Sequence, residues 1–170
     1  MRLSIVLPAL VALLVLVSGC GKQQEAEQNF AELQGHLDTF SALVLAGDVD
    51  GLEGLYAEDP PPIGFYMWGQ RIEGREAVVQ GWQKLFEGED VQDLSFDKVQ
   101  YRMKGNLGVI WGLCTMTTSA GEETRTIEAR FTRVLGRRDT GTWEVLHDHV
   151  SVPVPMVEPP EAVVEAPEGA

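Results

Sequence analysis

Residues 123–152, ETRTIEARFTRVLGRRDTGTWEVLHDHVSV, decide the fold. In the first half Ile127, Ala129, Phe131 and Leu135 fall on one face at a period of two, and Glu128, Arg130 and Thr132 take the other. That alternation predicts a strand with one buried face. Gly141 marks a turn, and Thr142 to Val152 reads as a second strand folded back as a hairpin. Arg133 stands in the apolar register of the first strand. A guanidinium there must find a partner, because an unpaired buried charge is very costly. Two partners are open: a protein carboxylate in an internal salt bridge, or a bound anion held by the guanidinium fork.

Two more strand-like runs precede this hairpin, Leu94 to Met103 and Leu107 to Thr118, with Gly105 and Gly121 as turns. In the second run Val109, Trp111 and Leu113 share one face, and Ile110, Cys114 and Met116 share the other. Both faces are apolar, so the outer one needs a cover, and a homodimer through that face is expected. Upstream the period changes. Phe30, Leu33, Leu37, Phe40, Leu43 and Val44 recur at helical spacing and stop at Gly47. Asp50 and Glu53 are spaced as a capping box for a second short helix, which Pro60-Pro61-Pro62 ends. Ile63 to Trp68 reads as a short strand and Arg71 to Gly74 as a turn. A third helix carries Val78, Trp82, Leu85 and Phe86 as one stripe. Helices first and an antiparallel meander last is an α+β pattern. Three N-terminal helices on one face of a curved, mainly antiparallel sheet would leave a pocket between the layers.

The order of elements resembles the nuclear transport factor 2-like, or SnoaL-like, cone. The local motifs Thr132-Arg133-Val134, Arg137-Arg138-Asp139, Gly141-Thr142-Trp143 and His147-Asp148-His149-Val150-Ser151 resemble the end of the calcium/calmodulin-dependent protein kinase II association domain. Glu73-Gly74 before the third helix fits the same resemblance. It implies a pocket in which several arginines hold an anion. Of those arginines only Arg133 has a counterpart here; the other two positions fall on Cys114 and Val150. Proteins of this fold include cyclases, isomerases, dehydratases, ligand binders and assembly domains, so the fold leaves the function open.

His147 and His149 sit two apart on the last strand, facing one way about 7 Å apart, with Asp148 facing the other unless a bulge intervenes. No third and fourth ligand stands at recognisable spacing, so neither a metal nor another cofactor is expected. His149 is the candidate general base of an isomerase-, dehydratase- or cyclase-type enzyme, with His147 beside it and Arg133 or Tyr66 polarising a carbonyl. The favoured expectation is non-catalytic: a pocket for a small apolar or weakly acidic molecule, with Arg133, Tyr66 and Trp82 as ligand-binding residues. An assembly or interaction domain is the remaining alternative. His36 lies beside the apolar stripe of the first helix and has no assigned role.

The ends of the chain speak of location. Met1-Arg2, an apolar run from Leu3 to Val17 and the small residues Ser18 and Gly19 form a secretory signal over residues 1–19. The ending Leu16-Val17-Ser18-Gly19-Cys20 resembles the lipobox of bacterial lipoproteins, which implies cleavage before Cys20 and its acylation. Several acyl chains anchor stably where one is marginal. Gly21 rather than Asp after the cysteine directs such a protein to the outer membrane, facing the periplasm, in a Gram-negative envelope. Residues 20–28 are a tether, 29–152 the folded domain and 153–170 a disordered tail with five prolines, four glutamates and no basic residue. Cys114 is the only other cysteine, so no internal disulfide is expected. A net charge of -13 argues against nucleic acid as a partner. Replacing Cys20 by Ala is expected to release the protein from the membrane fraction or to block its processing. A variant that stays membrane-bound and fully processed in cell fractionation contradicts the anchor.

Overall fold

The computed structural model describes residues 28–66 and 71–153. The signal segment, Cys20, Trp68 and most of the expected tether and tail lie outside the described residues. Helix α1 covers residues 28–46 and buries Leu33, Leu37, Phe40 and Val44, the stripe that its spacing predicts. Gly47 ends it with a positive φ of 64°, a conformation that a residue without Cβ adopts at little cost. Helix α2 (Val49–Leu55) follows. Its cap is Asp48, whose side chain accepts a hydrogen bond from the Gly51 amide at 2.9 Å, and not the expected Asp50/Glu53 box. The helix also stops before the prolines. Tyr56 leaves it in an extended conformation and bridges to Val145, so pairing with the sheet, not proline, terminates α2.

Strands β1 (Ile63–Phe65) and β2 (Arg71–Glu73) pair antiparallel, so the segment expected as a turn at Arg71 is an edge strand. Gly74, with φ 91°, then opens helix α3 (Arg75–Gly88). The meander is β3 (Asp90–Lys104), β4 (Leu107–Ala120), β5 (Glu123–Arg137) and β6 (Trp143–Ser151). The six strands form one open sheet in the order β2-β1-β6-β5-β4-β3, antiparallel except where β1 runs parallel to β6. This is an α+β cone: helices on the concave face of a curved sheet.

Two apolar clusters fill the space between the layers. One gathers Leu33, Leu37, Tyr56, Ile110, Phe131, Leu135 and Val145; the other gathers Phe40, Val44, Leu52, Leu94 and Met116. Trp82, Leu55 and Phe96 pack against both. Among the described residues the buried members of both clusters lie within residues 33–145, so the chain from Gly21 onward carries all of them. Ser41 fastens α1 to the sheet by donating to the Leu94 carbonyl at 2.8 Å.

On β4 the alternation is as expected: Ile110, Cys114 and Met116 are buried inward, while Val109, Trp111 and Leu113 face outward and Leu113 remains 38% exposed. Arg102 of β3 lies over the Trp111 ring at 5.7 Å and covers part of that face.

Curvature has a visible cause in β3. The β3–β4 register slips between Asp97 and Gln100, and Lys98 within the slip has φ 52°. Gly112 of β4 lies under this bulge: a Cβ there would stand 2.8 Å from the Asp97 carbonyl oxygen and 3.2 Å from the Val99 Cα. Both atoms belong to the backbone and cannot swing aside. Gly112→Ala is therefore expected to destabilise the domain by about 1–3 kcal/mol, read as a lower urea midpoint. An unchanged midpoint shows that the bulge can relax.

Candidate functional site

The concave face encloses a partly open cavity of about 80 Å³ between α1, α3 and the inner sheet. Phe40, Trp82, Phe96, Met116 and Phe131 supply apolar wall, and Tyr66, Arg133 and Asp148 form its polar patch. The expected ligand-binding residues Arg133, Tyr66 and Trp82 are thus brought together. Cys114 and Val150, the two positions matched to arginines by resemblance, border the same cavity.

Arg133 is 3% exposed, and its partner is a protein carboxylate. Its Nη2 lies 2.6 Å from Oδ2 of Asp148, itself 2% exposed. The two residues stand directly opposite each other in the β5–β6 register. The guanidinium carbon also sits 3.9 Å from the ring centre of Phe40 on α1, a cation–π contact. Burial pulls the Arg133 pKa down, but Asp148 together with the neighbouring Tyr56 and Tyr66 outweighs it, and the net shift is upward. Further out, Tyr56 points its hydroxyl at Asp148 Oδ2 from 3.4 Å, and the Trp82 indole N–H reaches the Tyr56 oxygen at 3.4 Å. Burial first, and the Asp148 charge second, push the Tyr56 pKa up to about 12. Burial and then the neighbouring Tyr56 and Asp148 push Tyr66 up as well. Both phenols stay neutral at physiological pH. Burial, reinforced by Asp148, raises the Cys114 thiol to about 11, so it is protonated and a weak nucleophile.

The structure places the histidine pair outside the cavity. His147 and His149 lie on the outer face, edge-on to the Phe65 ring at centroid distances of 5.8 and 6.1 Å. The reason is a bulge. Val134 pairs with His147 while the next residue, Leu135, pairs with Val145, so Leu146 is extra on β6. Alternation inverts there, and Val145 and Asp148 both face the core. Without the bulge the imidazoles would have shared the inner face with Val145. Asp148 belongs to the polar patch, Tyr56 reaches it from behind and Phe40 packs on Arg133, and none of the three was expected at the site from sequence. A signal for Asp148 existed, since a buried arginine requires a nearby carboxylate and the adjacent strand offers this one. Among the described residues no group of three or more His, Cys, Asp and Glu side chains is placed to hold a metal.

His36 is the other unforeseen group. It is 7% exposed on α1, and its Nε2 has no hydrogen-bond partner among the described residues. Burial and the nearby Arg133 charge lower its pKa from 6.5 to about 3.

The family model of the SnoaL-like domain matches residues 35–155, and the chain belongs to that family. Solved structures share the fold. A nuclear transport factor 2-like superfamily protein from Salmonella enterica is 16% identical, with a TM-score of 0.67 over 80% of this chain and 95% of its own. A candidate calcium/calmodulin-dependent kinase II association domain from Exiguobacterium sibiricum is 11% identical, with a TM-score of 0.64 over 75% and 95%. A candidate dehydratase of the nuclear transport factor 2-like family from Streptomyces avermitilis is 16% identical, with a TM-score of 0.63 over 76% and 99%. At these identities the likeness extends to fold alone. No curated protein matches the sequence significantly.

The lowered His36 pKa makes stability depend on pH. Below about 6.5 the unfolded chain takes up a proton that the folded chain refuses until about 3. Stability is therefore full above 6.5 and declines as pH falls toward 3. Between pH 7 and pH 5 the expected loss from this residue is roughly 2 kcal/mol. Urea denaturation at the two pH values checks it: His36→Gln should flatten the dependence, and parallel losses in both proteins contradict the assignment.

Proposed function

We propose that this chain is a lipid-anchored envelope protein whose SnoaL-like domain binds a small, mainly apolar molecule in its cavity without transforming it. The carrying observation is the cavity itself: about 80 Å³ of space walled by aromatic and aliphatic side chains, with a single polar patch. A concave apolar site with a few convergent polar groups is the general form of a small-molecule pocket. The volume suits a guest of a few heavy atoms, or the buried end of a longer one. Two features favour binding over catalysis. Neither imidazole of β6 borders the cavity, and the cavity carboxylate is already engaged by Arg133 at 2.6 Å. The envelope location rests on the Cys20 sequence context. A homodimer through the outer sheet face is part of the same proposal, supported by exposed Phe65, Leu107 and Leu113.

The test is a titration of the ¹⁵N-labelled chain from Gly21 to Ala170 with 1-butanol, followed by amide and indole shifts. Saturable shifts should cluster on residues that border the cavity, including Ala129, Phe131 and Trp82. Ala129→Leu places a larger side chain at a 4% exposed position that borders the cavity, and it should abolish those shifts. Shifts that never saturate, or that persist in the filled variant, contradict the cavity as a binding site.

A further inference from the structure

We infer that the cavity selects a neutral guest whose polar end both donates and accepts a hydrogen bond, such as a primary amide or an alcohol, and rejects the matching carboxylate. This deepens the binding function proposed above and rests on it.

The inference starts from hydrogen bonds that are not made. Buried polar groups in folded proteins nearly all have partners, and each exception calls for an explanation. Here the buried side-chain atoms without a protein partner among the described residues are Nε and Nη1 of Arg133, Oδ1 of Asp148, the Tyr66 hydroxyl and Nε2 of His36. Four of these five belong to residues that border one cavity. They form a complementary set: two N–H donors, one carboxylate acceptor and one hydroxyl that can do either. A primary amide fits it, its carbonyl accepting from Arg133 and its N–H donating to Asp148 Oδ1. An alcohol does the same with one oxygen.

Charge decides between neutral and anionic guests. Arg133 alone would attract a carboxylate, as the family resemblance implies. Its charge, however, is already matched by Asp148 at 2.6 Å, and both side chains are at least 96% buried. Neutral residues, Cys114 and Val150, occupy the two other arginine positions at the cavity. A carboxylate guest would thus bring a second negative charge into a neutral, apolar space beside Asp148. Removing that charge from water is costly, and Arg133 is no longer free to compensate it. A neutral guest avoids this and satisfies the unpartnered atoms. A site that hydrogen-bonds a guest also discriminates strongly against one that lacks the group.

Three probes of similar size separate the possibilities: butanamide, 2-pentanone (acceptor only) and butanoate. They are titrated at neutral pH into the ¹⁵N-labelled chain from Gly21 to Ala170, which contains every buried member of both apolar clusters among the described residues. Butanamide should bind about tenfold or more tightly than butanoate, the ratio that one charge-assisted hydrogen bond supplies, and more tightly than 2-pentanone. Asp148→Asn should reverse the order. Its Arg133 lacks a counter-charge, so butanoate should raise the melting temperature of the variant and leave that of wild type unchanged. If butanoate equals or outbinds butanamide in wild type, or if all three probes bind the cavity alike, the selectivity is wrong while the cavity remains a binding site. If none of the three shifts cavity residues, the binding function falls and the inference with it. Should Asp148→Asn fail to fold, the ranking on wild type decides alone.

Discussion

The Arg133–Asp148 ion pair is the constraint around which this domain is arranged. A buried pair gains Coulomb energy but gives up the hydration of two charges, and removing one partner leaves the other stranded at a cost of about 3–5 kcal/mol. The pair therefore fixes register more than it adds stability. It requires β5 and β6 to meet with residues 133 and 148 opposed, as they are. A one-residue slip would turn Asp148 outward and leave the guanidinium alone in the core. The extra residue at Leu146 makes this pairing compatible with a buried Val145. The bulge, the inward carboxylate and the outward histidines are thus consequences of a single requirement.

The same pair shapes the cavity. Phe40 comes from α1, Tyr56 follows α2, and Trp82 comes from α3, so each helix contributes a ring to the charged pair or its surroundings. Those rings exclude water and raise the local cost of any unmatched charge. Rings pack within each layer, Phe40 against Trp82 at 5.5 Å among the helices and Phe96 against Phe131 at 5.0 Å on the sheet, and Phe40 meets Phe96 across the layers at 6.4 Å. Space between the layers follows from filling it with flat, rigid groups.

How much of this was legible in the sequence differs by element. The strands β4 and β5 and helix α1 announce themselves, because long runs with one buried face impose a strict period. Arg133 was legible as an exception to such a period. The misses share a cause: each depends on contacts between segments distant in the chain. Asp48 caps α2 where Asp50 looked equally suitable, since chain entry from α1 selects the residue. Arg71–Glu73 is a strand only because β1 is beside it. The orientation of His147, Asp148 and His149 hangs on one extra residue in β6, and a bulge leaves no mark in a pattern as short as this strand. His36 sits on the edge of an apolar stripe, where its identity argues for exposure and the packing of α1 buries it.

Position and chemistry separate in this cavity. Arg133, Cys114 and Val150 all border the cavity. What changes is charge. With arginines at all three positions the cavity would be strongly positive. With a thiol, an isopropyl group and a neutralised guanidinium it has no net charge. Helices and sheet are fixed by apolar periodicity, which is indifferent to whether residue 114 is cationic or neutral so long as it fits. Selectivity is fixed by the few groups that periodicity does not constrain. For this chain those groups are Asp148, which cancels Arg133, and the unpartnered atoms beside it, and under the binding function proposed above they set the terms on which a guest would enter.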